Sequence, residues 1–160
     1  MGLGIIPTGG LFIRDGSIMK GVGYNVPYLA GGDFKHINMT GTRPGGQVIA
    51  FWAILKFLGM EGFKKVVKSC MENTFYLSKL ISEIKGVKLA VQPQMNIVGI
   101  TTENGNSIGK IDKELRRRGW MLGKFPALNI IRVVVMPHIQ KKHLSHFSDD
   151  LTKIVKQLGQ

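Results

Sequence analysis

The uneven placement of glycine constrains this chain more than any other feature. Its 21 glycines are crowded into the first third and become sparse after Pro44. The chain therefore divides into a loop-rich opening and a more regular remainder. Residues 3–13, LGIIPTGGLFI, read as two short apolar strand pieces around a Pro7-Thr8-Gly9-Gly10 turn. Arg14 to Thr40 sustains neither a helical nor a strand period and reads as an irregular loop. Loops of that length are uncommon inside compact domains unless they are functional or packed on something else. Two short strands cannot bury enough surface alone, so such an opening reads as the end of a larger domain.

From Pro44 the pattern turns helical. Val48, Ile49, Trp52 and Leu55 are among apolar residues on nearly all sides of a first helix, which predicts burial, and Gly59 ends it. A second amphipathic helix follows, from Phe63 through Cys70 and Leu77 to Ile84, and closes at Gly86. Val87 to Val91 and Asn96 to Thr101 read as strands. Ile108, Ile111 and Leu115 mark a helix that stops at Gly119, Ile130 to Val135 a central buried strand, and Leu144 to Leu158 a last helix. From residue 60 the order is α-β-β-α-β-α, a small α/β domain.

Composition narrows the function classes. The 160 residues suit one domain or one domain plus an arm. A net charge of +12 asks for an acidic partner, an anionic ligand or simply a basic surface. No aromatic–basic cluster, zinc spacing or RNA-binding signature accompanies it, so nucleic acid is not the expected partner. One cysteine, Cys70, precludes an internal disulfide and fits a reducing cytoplasm. No apolar run approaches the ~20 residues of a membrane span, and the start lacks a signal peptide's charged n-region and apolar h-region. The expectation is a soluble cytoplasmic protein.

Several residue groups carry candidate chemistry. Gly41-Thr42-Arg43-Pro44-Gly45-Gly46 opens the first helix: Pro44 suits the first turn, the glycines admit a close approach, and free amides at a helix start favour an anion such as phosphate. An ordinary start capped by Thr42 is the alternative. The Gly2/Gly4 and Gly21/Gly23 pairs lack the third glycine of a dinucleotide fingerprint. His143 and His146 lie one turn apart near Asp149 and Asp150, but beside an apolar stripe, where a solvated face is expected and no metal. Arg132, embedded in IIRVVVMP, must be paired, because a buried lone guanidinium is costly; its planar fork matches a carboxylate, from a ligand or from an acidic residue of the fold. Arg116, Arg117 and Arg118 read as solvated surface. Tyr28, in NVPYLAGG, is either a packing anchor or a proton donor carried on a mobile loop.

Six segments in order, IPTGGLFIRD, PYL, GTRPGG, CMENTFYL, NIVGI and IIRVVVMPHI, span nearly the whole chain. In them the sequence resembles the group II pyridoxal-phosphate decarboxylases, most closely the archaeal-type tyrosine/aspartate decarboxylases. The resemblance implies the aspartate-aminotransferase-like fold (fold type I), with residues 1–45 as the tail of the large cofactor-binding domain and 46–160 as the small C-terminal α/β domain. It implies pyridoxal 5'-phosphate as cofactor, a small amino acid as substrate and a homodimer in the complete enzyme. Arg132 matches the arginine that grips the substrate α-carboxylate. Thr42, with Gly41 and Arg43 beside it, matches the residue that binds the cofactor phosphate across the dimer interface. Tyr28 matches the loop tyrosine that protonates the substrate carbon after carbon dioxide leaves. The family's tethering lysine lies just before the segment matching Met1-Gly2-Leu3, and no lysine precedes Lys20. The resemblance therefore implies a C-terminal portion, inactive alone, that needs the missing N-terminal half. A sphingosine-phosphate-lyase-like enzyme shares the Gly-(Ser/Thr)-Arg-Pro-Gly-Gly segment and is one rival. A non-catalytic basic α/β binding module is another.

Overall fold

In the computed structural model, which describes residues 3–6, 9–26, 31–32, 34–36 and 44–159, regular structure first forms at Asp15. Its carboxylate accepts the Ser17 amide at 2.9 Å and caps a 3-10 helix over Gly16–Gly21. β1 (Tyr24–Val26) then pairs antiparallel with β2 (Phe34–His36), Tyr24 opposite His36. The stretch predicted as structureless thus holds a helical turn and a ribbon, both too short to show a period. The reverse holds for the two strands predicted in residues 3–13, which do not form among the described residues there. Ile6, Leu11 and Phe12 stand 89%, 85% and 88% exposed, and an extended segment with no neighbouring ladder leaves its amides to water.

The chain falls into two compact units, Gly2–Gly59 and Met60–Gln160. Helix α1 (Gly45–Ser82) runs through the boundary but is broken at Gly59, whose φ of 57° and ψ of −173° belong to a region only glycine occupies readily. Before the break, Val48, Ile49 and Trp52 are exposed, against the predicted burial, because among the described residues of their own unit a ribbon and turns offer too little apolar cover. By length and composition alone α1 passes for a membrane span, one 18-residue window of it reaching a mean hydropathy of 1.2, but the break at Gly59 interrupts the helix.

After the break α1 becomes amphipathic and buries Cys70, Thr74, Leu77, Ser78 and Ile81 along one stripe. Gly86, at φ 95°, turns the chain into β3 (Val87–Leu89). There follow β4 (Ile97–Thr102), α2 (Ile108–Arg117), β5 (Gly123–Phe125), β6 (Ile130–Val134) and α3 (Lys141–Gln157). The strands form one antiparallel sheet in the order β3-β4-β6-β5. β6 is central, as predicted; β5, an edge strand, went unpredicted because GKF is too short to show alternation. The core joins Val98, Ile100 and Ile131 of the sheet to Leu77 and Ile81 of α1, Ile111 and Leu115 of α2, and Leu151 and Ile154 of α3. The second part of α1, α2 and α3 therefore cover the same face of the sheet, and among the described residues of this unit no helix covers the other face. Each fully buried leucine or isoleucine contributes about 1.5–3 kcal/mol relative to exposure.

Candidate active site

The face of the sheet away from these helices carries Arg132. Side chains alternate along β6, so Ile131 goes inward, 1% exposed, and Arg132 outward. The register sets Arg132 opposite Gly99 of β4 on one side and opposite Gly123 of β5 on the other. Gly123, without a side chain, leaves room for the guanidinium. It reaches over β5, with Cζ 5.2 Å from the centre of the Phe125 ring. Arg132 is thus exposed rather than embedded in the core, and no carboxylate pairs with it among the described residues. Of the two partners the sequence allowed, the acidic residue of the same fold is missing from the described set.

Beside Arg132 lies a cleft of about 400 Å³ between the β5–β6 edge and the start of α3, lined by Trp120, Leu122, Val134, Leu144 and Phe147 and by the polar Arg132 and His143. Most of its wall is apolar. The cleft's histidine is committed locally: His143 Nδ1 accepts the Gln140 amide at 3.2 Å in a capping box at the start of α3. His146 sits 3.5 Å from Asp150, whose carboxylate also receives Trp120 Nε1 at 2.9 Å and Arg118 Nη1 at 3.3 Å. The Trp120 hydrogen bond, against a smaller opposing effect of burial and helped by the charges of His146 and Arg118, holds Asp150 below the usual carboxylate range. No three histidine, cysteine, aspartate or glutamate side chains converge among the described residues.

The arginine run is structural more than solvated. Arg116 Nε donates to both oxygens of Asp112 at 3.1 Å, its Nη2 reaches the Leu122 carbonyl at 3.1 Å, and Lys124 of β5 comes within 3.1 Å of the same carboxylate. Arg118 is held by Asp150 and Gln157; Arg117, 63% exposed and paired with Glu114, is the one that fits the surface reading. Burial pushes Asp112 up, yet the hydrogen bonds and charges of Arg116 and Lys124 outweigh it and keep its pKa below the ordinary value. Sequence reasoning missed Asp112, Gly123 and Phe125. In the structure β5 sends Lys124 toward Asp112 of α2 and Gly123 and Phe125 toward Arg132, but three residues are too few to signal this in the sequence.

The remaining predicted residues, Tyr28, Gly41, Thr42 and Arg43, lie outside the described residues. Of the predicted site residues, Arg132 alone falls among the described ones.

No family model matches the sequence. Individual relatives do. The chain is 40% identical over 98% of its length to a probable L-aspartate decarboxylase of Thermococcus gammatolerans and 39% identical over 99% to the L-aspartate decarboxylase of Thermococcus kodakarensis. It is 35% identical over 98% to a probable L-tyrosine/L-aspartate decarboxylase of Methanococcus aeolicus. It spans only 38–40% of the length of these relatives. Among solved structures, the Burkholderia pseudomallei sphingosine-1-phosphate lyase matches 89% of the chain with a TM-score of 0.72 at 25% identity. The Lactobacillus brevis glutamate decarboxylase matches 88% with a TM-score of 0.63 at 18% identity. The chain covers 32% and 34% of those two chains. An antiparallel sheet layered with helices on one face, a fold shared with those enzymes and sequence relatedness along nearly every residue agree: this chain is related over almost its whole length to archaeal L-aspartate and L-tyrosine/L-aspartate decarboxylases, and corresponds to a portion about two fifths their length.

Proposed function

We propose that the chain is the C-terminal portion of a pyridoxal-phosphate-dependent decarboxylase that releases carbon dioxide from a small L-amino acid such as aspartate, tyrosine or glutamate. Residues 1–45 complete the large cofactor-binding domain, residues 46–160 form the small one, and the working enzyme is a cytoplasmic homodimer that includes an N-terminal half. The observation that carries the proposal is Arg132: a guanidinium on the sheet face away from the helices, flanked by Gly99 and Gly123, with no internal carboxylate on it among the described residues. A fork of that kind binds a carboxylate at two points and fixes which bond of the substrate can break. When bound, the cofactor supplies the electron sink for the charge left by the departing carboxylate. Gly41, Thr42 and Arg43, ahead of the α1 N-terminus, hold its phosphate. Tyr28 delivers the proton that replaces the lost carboxylate.

The test joins this chain to the N-terminal portion of the Thermococcus kodakarensis relative and assays carbon dioxide release from L-aspartate, L-tyrosine and L-glutamate. The expected result is amine plus carbon dioxide from at least one of them. Arg132→Met should abolish saturable substrate binding, a loss of about 100-fold or more, while cofactor absorbance is kept. Cofactor binding without carbon dioxide release would sink the proposal. The likeness to the sphingosine-1-phosphate lyase favours a second reading, carbon–carbon cleavage of a phosphorylated amino alcohol. An aldehyde product would select it.

A further inference from the structure

β5 carries two features aimed at Arg132. A Cβ built on Gly123 would lie 3.3 Å from both Nε and Nη2 of Arg132 and 3.6 Å from its Cζ, so the guanidinium uses the space that a side chain at 123 would need. Gly99, on the other flank, is different: a Cβ there would meet Ala90 and Ile130 at 3.3 Å, which makes it a packing requirement of the sheet. Two residues beyond Gly123 on the same face, the Phe125 ring sits 5.2 Å from Cζ, within range of a cation–π contact. The strand that carries both is pinned from behind. Lys124 reaches Asp112 at 3.1 Å, and Arg116 ties the same carboxylate to the Leu122 carbonyl.

An unrestrained arginine has many rotamers, and fixing one when substrate arrives weakens binding. We propose that β5 is the positioning element of the carboxylate site: Gly123 is the berth of the Arg132 guanidinium, Phe125 its platform, and the Asp112–Lys124 pair the anchor that holds the strand. The proposal rests on the reading of Arg132 as the carboxylate grip. Gly123 and Phe125 touch no reacting atom and act through Arg132 alone.

Two readouts separate the proposal from that reading. In the 15N-labelled chain, the Arg132 Nε–Hε resonance, assigned with Arg132→Lys, should move in Phe125→Leu as the ring's shielding is lost and stay close to its place in Phe125→Tyr. Gly123→Ala should move and broaden it. In the chain joined to the N-terminal portion, Gly123→Ala and Phe125→Leu should each raise KM for the amino acid several-fold, to about tenfold, with kcat within threefold, and Phe125→Tyr should restore KM. Added to Arg132→Lys, Gly123→Ala should raise KM less than twofold further. If the resonance stays put in both Gly123→Ala and Phe125→Leu, the positioning proposal is overturned whatever Arg132 binds. If the resonance moves but Arg132→Lys leaves KM unchanged, the carboxylate reading fails and the proposal falls with it. Should Gly123→Ala fail to fold, the Phe125→Leu and Phe125→Tyr pair decides the same question.

Discussion

At the scale of single residues, Arg132 shows how far a sequence pattern reaches. IIRVVV announces a central strand and an arginine that needs an anion. It hides which way the arginine faces, because Val133 and Val134 are both half-buried and blur the alternation between Ile131 and Arg132. Asn129 was not legible at all. It is the only non-glycine with positive φ among the described residues, at 54°, a conformation asparagine tolerates better than most. Its Oδ1 accepts the Ile108 amide at 2.8 Å and its Nδ2 donates to the Asn106 carbonyl at 2.8 Å, so it holds the start of α2 from a distant turn. Asn129→Ala should lose both the bonds and the backbone fit and cost about 2 kcal/mol, while Asn129→Gly keeps the fit and should cost about 1 kcal/mol, both read by urea denaturation. Leu151→Ala, at a site with no exposure, should cost about 2–5 kcal/mol in the same measurement.

At the scale of elements, the helices and longer strands were legible because each repeats its pattern over several turns or pairs. Gly59, Gly86 and Gly119 marked three helix ends correctly, and all three have positive φ. β5 escaped because what fixes it is a set of contacts with α2, and no spacing in GKF announces them. Asp112→Asn should therefore destabilise the chain by about 1–3 kcal/mol at neutral pH, since Arg116 and Lys124 lose the charge that pairs them. The sign with pH follows from the depressed Asp112 pKa. Its contribution is fully present above the unfolded carboxylate value of about 3.9 and is lost as pH falls from there through the lower folded value. The stability gap between wild type and Asp112→Asn should thus close as pH falls below about 4, as measured by denaturation at a series of pH values.

At the scale of the whole molecule, the core draws every buried member from Leu77 to Val155. The unit from Met60 onward should unfold cooperatively, and a chain shortened to residues 60–160 should keep one sharp far-UV melting transition. The exposed Val48, Ile49, Trp52 and Phe57 belong to the other unit, so the same shortening should sharply reduce binding of a hydrophobic dye. Their all-round apolarity was legible in the sequence as a demand for burial. What the sequence could not say was that nothing in the described part of that unit meets the demand.

The pairing of β5 with β6 carries one more consequence, for how the sheet avoids mis-threading. A slip of one residue would swing the Lys124 ammonium onto the face of the Arg132 guanidinium, strip Asp112 of a partner and turn Gly123 and Phe125 toward the helices. Wrong alignment would bring two like charges together and leave an acid under-neutralised, so electrostatic repulsion guards an edge too short for hydrophobic alternation to guard.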